Sequence, residues 1–144
     1  MVDKFDKEFV DLPGEEVKTL QHGKLLLQNF VPYYLANFNE WKTLEKENVG
    51  VVSIDDIQYL VKTDRVIEWR GNIYAVDFKT VNAKYKYGFF DKFQLDWQPT
   101  GYVEWCKQKY GQCSGLYLLV CSWDIEKKCI RVNRLGFIVC LIIL

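Results

Sequence analysis

The sequence predicts a single mixed α/β (α+β) domain with a central sheet flanked by helices, on three observations. Apolar residues recur at helical spacing early in the chain, short β-branched runs bounded by polar turns follow, and a second helical stretch separates these from a later strand group. With 144 residues the chain is about one domain long and has room for one hydrophobic core.

From Leu20 to Phe38, apolar and aromatic residues fall three and four apart (Leu26, Phe30, Tyr33, Tyr34, Phe38), which predicts a helix. Pro32 lies inside it and predicts a kink or two abutting helices. After Glu47 the texture changes, and Val49 to Ile54 and Ile57 to Val61 read as short strands. Asp64–Trp69 and Ile73–Lys79 then flank Arg70-Gly71-Asn72, a hairpin signal, because glycine supplies the positive φ of a tight turn. A lysine- and aromatic-rich stretch runs from Lys84 to Phe93. A helix is predicted from about Trp97 to Tyr110, with Pro99 tolerated in its first turn and Gly111 as its stop. Leu116–Trp123 and Cys129–Leu135 read as a closing pair of strands around the polar turn 124–128. The whole chain, 1–144, thus divides into a helical part to about residue 40, a core from about 41 to 135, and an apolar C-terminal tail.

Hydrophobic residues make up 49% and charged residues 26%, a globular balance that argues against disorder. Lysine plus arginine (19) cancels aspartate plus glutamate (19), so no global positive field draws the protein to nucleic acid or anionic lipid. A polyanion must be held by a local patch. The N-terminal residues Met1–Glu8 lack the apolar stretch of a signal peptide. The apolar run Phe137–Leu144 is far short of the roughly 20 residues that span a bilayer, so no membrane partner is expected. The five cysteines contain no C-x-x-C pair and read as free, mostly buried thiols in a reducing cytoplasm.

Strand parity yields the candidate chemistry. Residues two apart in a strand share a face, so Asp77 and Lys79 project together while Val76 and Phe78 point the other way. If the hairpin loop is Arg70-Gly71, Asp64 lies opposite Asp77; if it is Gly71-Asn72, Asp64 lies opposite Lys79. Either loop places Asp64 with Asp77 and Lys79 on one face, expected to be an open, cleft-side face, and Ile67 with Tyr74 on the other. A three-residue loop without a bulge would break the arrangement. Two neighbouring carboxylates repel unless a cation sits between them, and hard oxygen donors suit Mg²⁺ or Mn²⁺. A lysine alongside can orient water and offset developing charge. The competing reading is a solvated ion-pair network. Downstream, Gln94, Gln98, Tyr102 and Cys106 are four apart and form one helical stripe.

Taken together, Asp64, Asp77-Phe78-Lys79 and Gln98-Pro99-Thr100-Gly101-Tyr102 resemble the PD-(D/E)XK nuclease superfamily, in its RecB-like, phage exonuclease-type branch. The resemblance covers about residues 21–134 and implies a restriction-endonuclease-like core. It implies that Asp64 and Asp77, with the backbone carbonyl of Phe78, bind Mg²⁺ or Mn²⁺ and that Lys79 serves the attacking water. Gln98 and Tyr102 would position the DNA backbone or groups of the site. Glu45, in Thr43-Leu44-Glu45, is similar to the family's glutamate-bearing strand and becomes an additional metal candidate, against the plain reading of a surface glutamate. His22, the only histidine, becomes another, against a structural role. Lys84, Lys86 and Lys92, interleaved with aromatics, are candidate nucleic-acid contacts, the competing reading being a solvated loop over core aromatics. The implied activity is metal-dependent hydrolysis of DNA phosphodiesters by an exonuclease of recombination, repair or phage DNA processing, in a bacterial cytoplasm or that of a phage's host. A helicase or annealing protein would be its partner. The rival function is a catalytically silent nucleic-acid-binding or scaffold module. Relatives continue into further helices, so the tail is expected either to be a buried strand or to mark a chain cut short.

Overall fold

The computed structural model describes residues 20–82, 97–123 and 137–142. Its elements, in order, are helix α1 (Leu20–Asn37), strands β1 (Lys42–Ile54), β2 (Ile57–Trp69) and β3 (Asn72–Asn82), helix α2 (Trp97–Tyr110), and strands β4 (Leu116–Trp123) and β5 (Phe137–Ile142). The strands form one mixed sheet in the order β1-β2-β3-β4-β5. β1–β2, β2–β3 and β4–β5 are antiparallel; β3 and β4 are parallel, with α2 in the connection between them. The class is therefore α+β with a mixed sheet, as expected. Among the described residues, no helix is long and apolar enough to cross a membrane.

Several local expectations change. Pro32 lies inside α1, which runs unbroken through it, so there are not two helices. The two short strands expected at 57–61 and 64–69 are one strand of 13 residues. β4 takes its antiparallel partner from the apolar tail, with Cys121 opposite Phe137, and the strand expected at Cys129–Leu135 lies outside the described residues. So does the whole segment from Lys84 to Phe93, with Lys84, Lys86 and Lys92.

Both hairpin turns have two central residues at positive φ, the primed geometry that matches strand twist: Asp55 (48°) with Asp56 (65°), and Arg70 (52°) with Gly71 (77°). Trp69 pairs with Asn72 across the second turn, which settles the register: the loop is Arg70-Gly71.

The sheet is packed on both faces. On one, Ile67, Tyr74, Val76, Tyr117 and Leu119 form a cluster with Phe30 and Tyr34 of α1 and with Phe38, Trp41 and Phe78. On the other, Val52, Val61, Val66, Ala75, Leu116, Leu118 and Val120 pack with Tyr102, Val103, Trp105 and Cys106 of α2. Val61 and Val66 share this second cluster although five positions apart, so the facing parity of β2 switches between them, around Asp64. The seat of α2 is fixed by Gln108, whose side chain mimics a strand edge: its amide nitrogen donates to Ser53 O (2.8 Å) and its oxygen accepts from Ser53 N–H (3.2 Å).

Candidate active site

The β2–β3 pairing runs from the turn to Arg65 opposite Val76. One position further, Asp64 meets Asp77, and there the ladder is replaced by a side-chain bond: Phe78 donates its backbone N–H to Asp64 Oδ2 at 2.8 Å. Two carboxylates from neighbouring strands meet at this point. Asp77 lies on the α2 side, in phase with Ala75 and opposite to Tyr74 and Val76.

The expected open face is not found at Asp77. Its residue is 1% exposed, because α2 and its core residues cover this side of the sheet. Burial pushes its carboxyl up to about 6; the Lys79 ammonium works against the rise, and the Asp64 charge adds to it. Lys79 Nζ donates to Asp77 Oδ1 (3.2 Å) and lies 3.0 Å from Oδ2. Oδ2 itself is buried and has no partner of hydrogen-bond geometry among the described residues. Lys79 is partly exposed and lines a cavity of about 470 Å³ with Phe30, Tyr34, Arg65 and Phe78. The lysine therefore links the buried carboxylate to open space.

Gln98 and Tyr102 lie one helical turn apart on α2 and line one cavity of about 270 Å³ together with Leu60, Val61 and Lys62. They share a direction, as the spacing predicts. The far wall of that cavity is β2, with Asp64 two residues beyond Lys62, and Tyr102 also shares its core cluster with Ala75 of β3, two residues from Asp77. Tyr102 is buried and Gln98 half-buried.

The two supplementary candidates lie elsewhere. Glu45 forms an ion pair with Lys109 at the C-terminal end of α2. Burial acts to raise its pKa, but Lys109 and Tyr110 hold it below the ordinary carboxylate value. His22 is half-buried in the first turns of α1, the helix that packs through Phe30 and Tyr34 on the face opposite Asp77. Among the described residues no three His, Cys, Asp or Glu side chains gather as a metal-holding group, so neither residue completes a ligand set with the two aspartates.

Arg65 carries no motif signal, and only the fold reveals its setting. Its guanidinium lies 5.1 Å from the Tyr34 ring centre and 5.6 Å from that of Phe78, and donates to the Tyr34 hydroxyl at 2.5 Å. It lies on the α1 side of the sheet, one residue from Asp64.

The donor set suits a hard divalent cation chemically. Two adjacent carboxylates share one site, one of them has a buried oxygen without a hydrogen bond among the described residues, and the Phe78 carbonyl lies between Asp77 and Lys79 in sequence.

No protein-family model and no curated protein matches the chain. Among solved structures it is similar to one described as "Crystal structure of SSO0001", with 15% sequence identity and a TM-score of 0.37 over 76% of this chain. The chain spans about half (49%) of that protein's length.

Proposed function

We propose that the protein is a divalent-metal-dependent nuclease of the PD-(D/E)XK type with a restriction-endonuclease-like core, hydrolysing phosphodiester bonds of DNA as an exonuclease of recombination, repair or phage DNA processing. One observation carries the reading: Asp64 and Asp77 meet where the β2–β3 ladder ends, with the Lys79 ammonium on Asp77. A structural ion pair needs one carboxylate. A second, close enough to raise the pKa of the first, is costly unless a cation is shared.

In this reading Asp64, Asp77 and the Phe78 carbonyl hold Mg²⁺ or Mn²⁺. Such an ion, when bound, neutralises phosphate oxygens and acidifies water. Lys79 orients the attacking water and offsets the negative charge that grows on the phosphoryl oxygens. The water oxygen bonds to phosphorus in line with the breaking P–O bond, and the leaving oxygen departs with a proton. Gln98 and Tyr102 are too weak as donors to a hard cation to be ligands, and act by positioning the strand or the groups around it. Lys84, Lys86 and Lys92 remain the candidates for gripping the DNA backbone, and a helicase or annealing protein the candidate partner.

A second reading has its own support. Asp77 is buried and already paired with Lys79, the arrangement expected of a catalytically silent, nucleic-acid-binding relative. Incubating the chain with end-labelled linear and closed circular DNA, with Mg²⁺, Mn²⁺ or chelator, separates the two. The nuclease reading expects metal-dependent shortening of the linear DNA, lost in Asp77→Ala with the circular-dichroism spectrum retained. DNA binding without cleavage under every metal condition would establish the silent module instead.

A further inference from the structure

Outside the carboxylate pair, the fold brings two thiols together. Cys106 lies near the C-terminal end of α2 and is wholly buried in the core on that side. The helix stops at Gly111, whose φ of 77° and N–H bond to Lys107 O (2.9 Å) reverse the chain. The reversal returns Cys113 to the core cluster that holds Cys106, where each thiol shifts the titration of the other. The turn is anchored to β3: Ser114 N–H donates to Ile73 O at 2.8 Å, and Ala75 N–H donates to Gly115 O at 3.1 Å. Cys113 Sγ also lies 3.4 Å from Gly115 O.

The two sulfurs differ in access and in charge. Cys106 is buried, and the neighbouring Cys113 together with that burial raises its pKa strongly. Cys113 is partly exposed. The neighbouring Cys106 draws its thiol down to about 7 against the opposing effect of burial, with help from backbone donors and Lys107. A partly exposed thiol with thiolate character, beside a buried one, combines an attacking sulfur with a resolving sulfur. The chemistry proposed for Asp64 and Asp77 uses neither.

We propose that Cys106 and Cys113 form a peroxide-sensitive dithiol that closes to an intramolecular disulfide. Cys113 sulfur attacks one oxygen of a hydroperoxide, the O–O bond breaks, and Cys113 becomes a sulfenic acid as water leaves. Cys106 sulfur then attacks the Cys113 sulfur. The S–S bond forms, the S–O bond breaks, and the hydroxide leaves as water with the Cys106 proton. In sum, two thiols lose two electrons and one hydrogen peroxide is reduced to two waters. The bond ties the end of α2 to the turn seated on β3. Cys121, buried on β4 with its thiol pushed up to about 12, is the internal control.

The test treats the full chain with hydrogen peroxide, blocks remaining thiols by alkylation and digests with trypsin. Trypsin cuts at Lys107 and Lys109, between the two cysteines, so the bond joins two peptides at about 2 Da below their summed mass and dithiothreitol separates them. Fragment ions distinguish Cys113 from Cys121 on the shared peptide. The expected result is a Cys106–Cys113 link that is absent in Cys113→Ser, a change at a partly exposed position. Oxidation of Cys113 to sulfinic acid without a link, a link from Cys106 to another cysteine, or both thiols still alkylatable would each overturn the proposal. If Cys113→Ser fails to fold, the fragment ions of the wild-type chain decide alone.

Discussion

Phe78 gives its backbone N–H to the carboxylate of Asp64 across 2.8 Å, at the point where the backbone pairing of β2 and β3 ends. Asp64 is thus both a structural acceptor and half of the carboxylate pair, and the two roles separate by substitution. Asp64→Ala leaves a part-buried N–H without its acceptor and should cost about 1–3 kcal/mol. Asp64→Asn keeps an oxygen for Phe78 and should cost less, while removing the charge. Urea midpoints should therefore rank wild type and Asp64→Asn above Asp64→Ala, whereas cleavage should be lost in both variants. Equal midpoints for the two variants would show that the Phe78 bond contributes nothing.

Asp77 predicts a pH dependence of stability. Its folded pKa of about 6 lies above the ordinary 3.8, chiefly through burial. Between those values the folded chain holds a proton that the unfolded chain has released, so the stability from this group is full below about pH 4 and declines as pH rises to about 6. Asp77→Asn, which copies the neutral form, should be more stable than wild type at pH 7 by about 1–3 kcal/mol, with the gap closing toward pH 4. Urea denaturation of both proteins from pH 4 to 8 measures this directly. A wild type as stable as Asp77→Asn at pH 7 would mean that Lys79 fully compensates the buried charge.

The sequence carried the hairpin, the helix Trp97–Tyr110 and the strand Leu116–Trp123 because each has a local signal: a glycine turn, a Pro–Gly frame, an apolar run. Register followed once the loop was Arg70-Gly71, and with it the meeting of Asp64 and Asp77. Burial could not be read the same way. Parity tells which residues share a face but not what covers it, and the helix that buries Asp77 arrives from twenty residues downstream. The merging of two short strands into β2 was hidden for a related reason, since the switch of facing at Asp64 breaks the alternation from which strands are recognised. The thiol pair needed the fold as well, because seven residues bring Cys113 back to Cys106 only if the helix stops at Gly111.

On α2, Tyr102 and Gln98 test whether the helix does more than cover the sheet. Tyr102 is 4% exposed within the core, so Tyr102→Phe keeps the ring packing and removes only the hydroxyl. Stability should fall by about 0.5–1.5 kcal/mol, the ordinary net worth of one hydrogen bond. Turnover should fall by at least tenfold if the hydroxyl positions substrate, and Gln98→Ala should act in the same direction with metal dependence unchanged. Single-turnover cleavage against metal concentration separates these effects. Normal rates in both variants of an active, metal-dependent enzyme would reduce the helix to scaffold.

The contact of α2 with β1 rests on a glycine. Gly50 faces the indole of Trp105, and a Cβ built at Gly50 would overlap the indole nitrogen. Trp105 is 5% exposed and belongs to the core on the α2 side, so it has little room to withdraw. Gly50→Ala should therefore destabilise the fold by about 1–3 kcal/mol through overpacking, although alanine is the better strand residue by intrinsic preference. Gly71 gives the contrasting case, since a Cβ there meets nothing within 4 Å and only the φ of 77° opposes a side chain. The two mechanisms separate in a double variant. Trp105→Ala removes the whole indole, and with it the atoms that clash, so the cost of Gly50→Ala should shrink in that background while the cost of Gly71→Ala stays the same. Denaturation midpoints of the four single and double variants against their parents give both differences. An unchanged Gly50→Ala cost beside Trp105→Ala would place the strain in the strand itself rather than in the packing of α2 on β1.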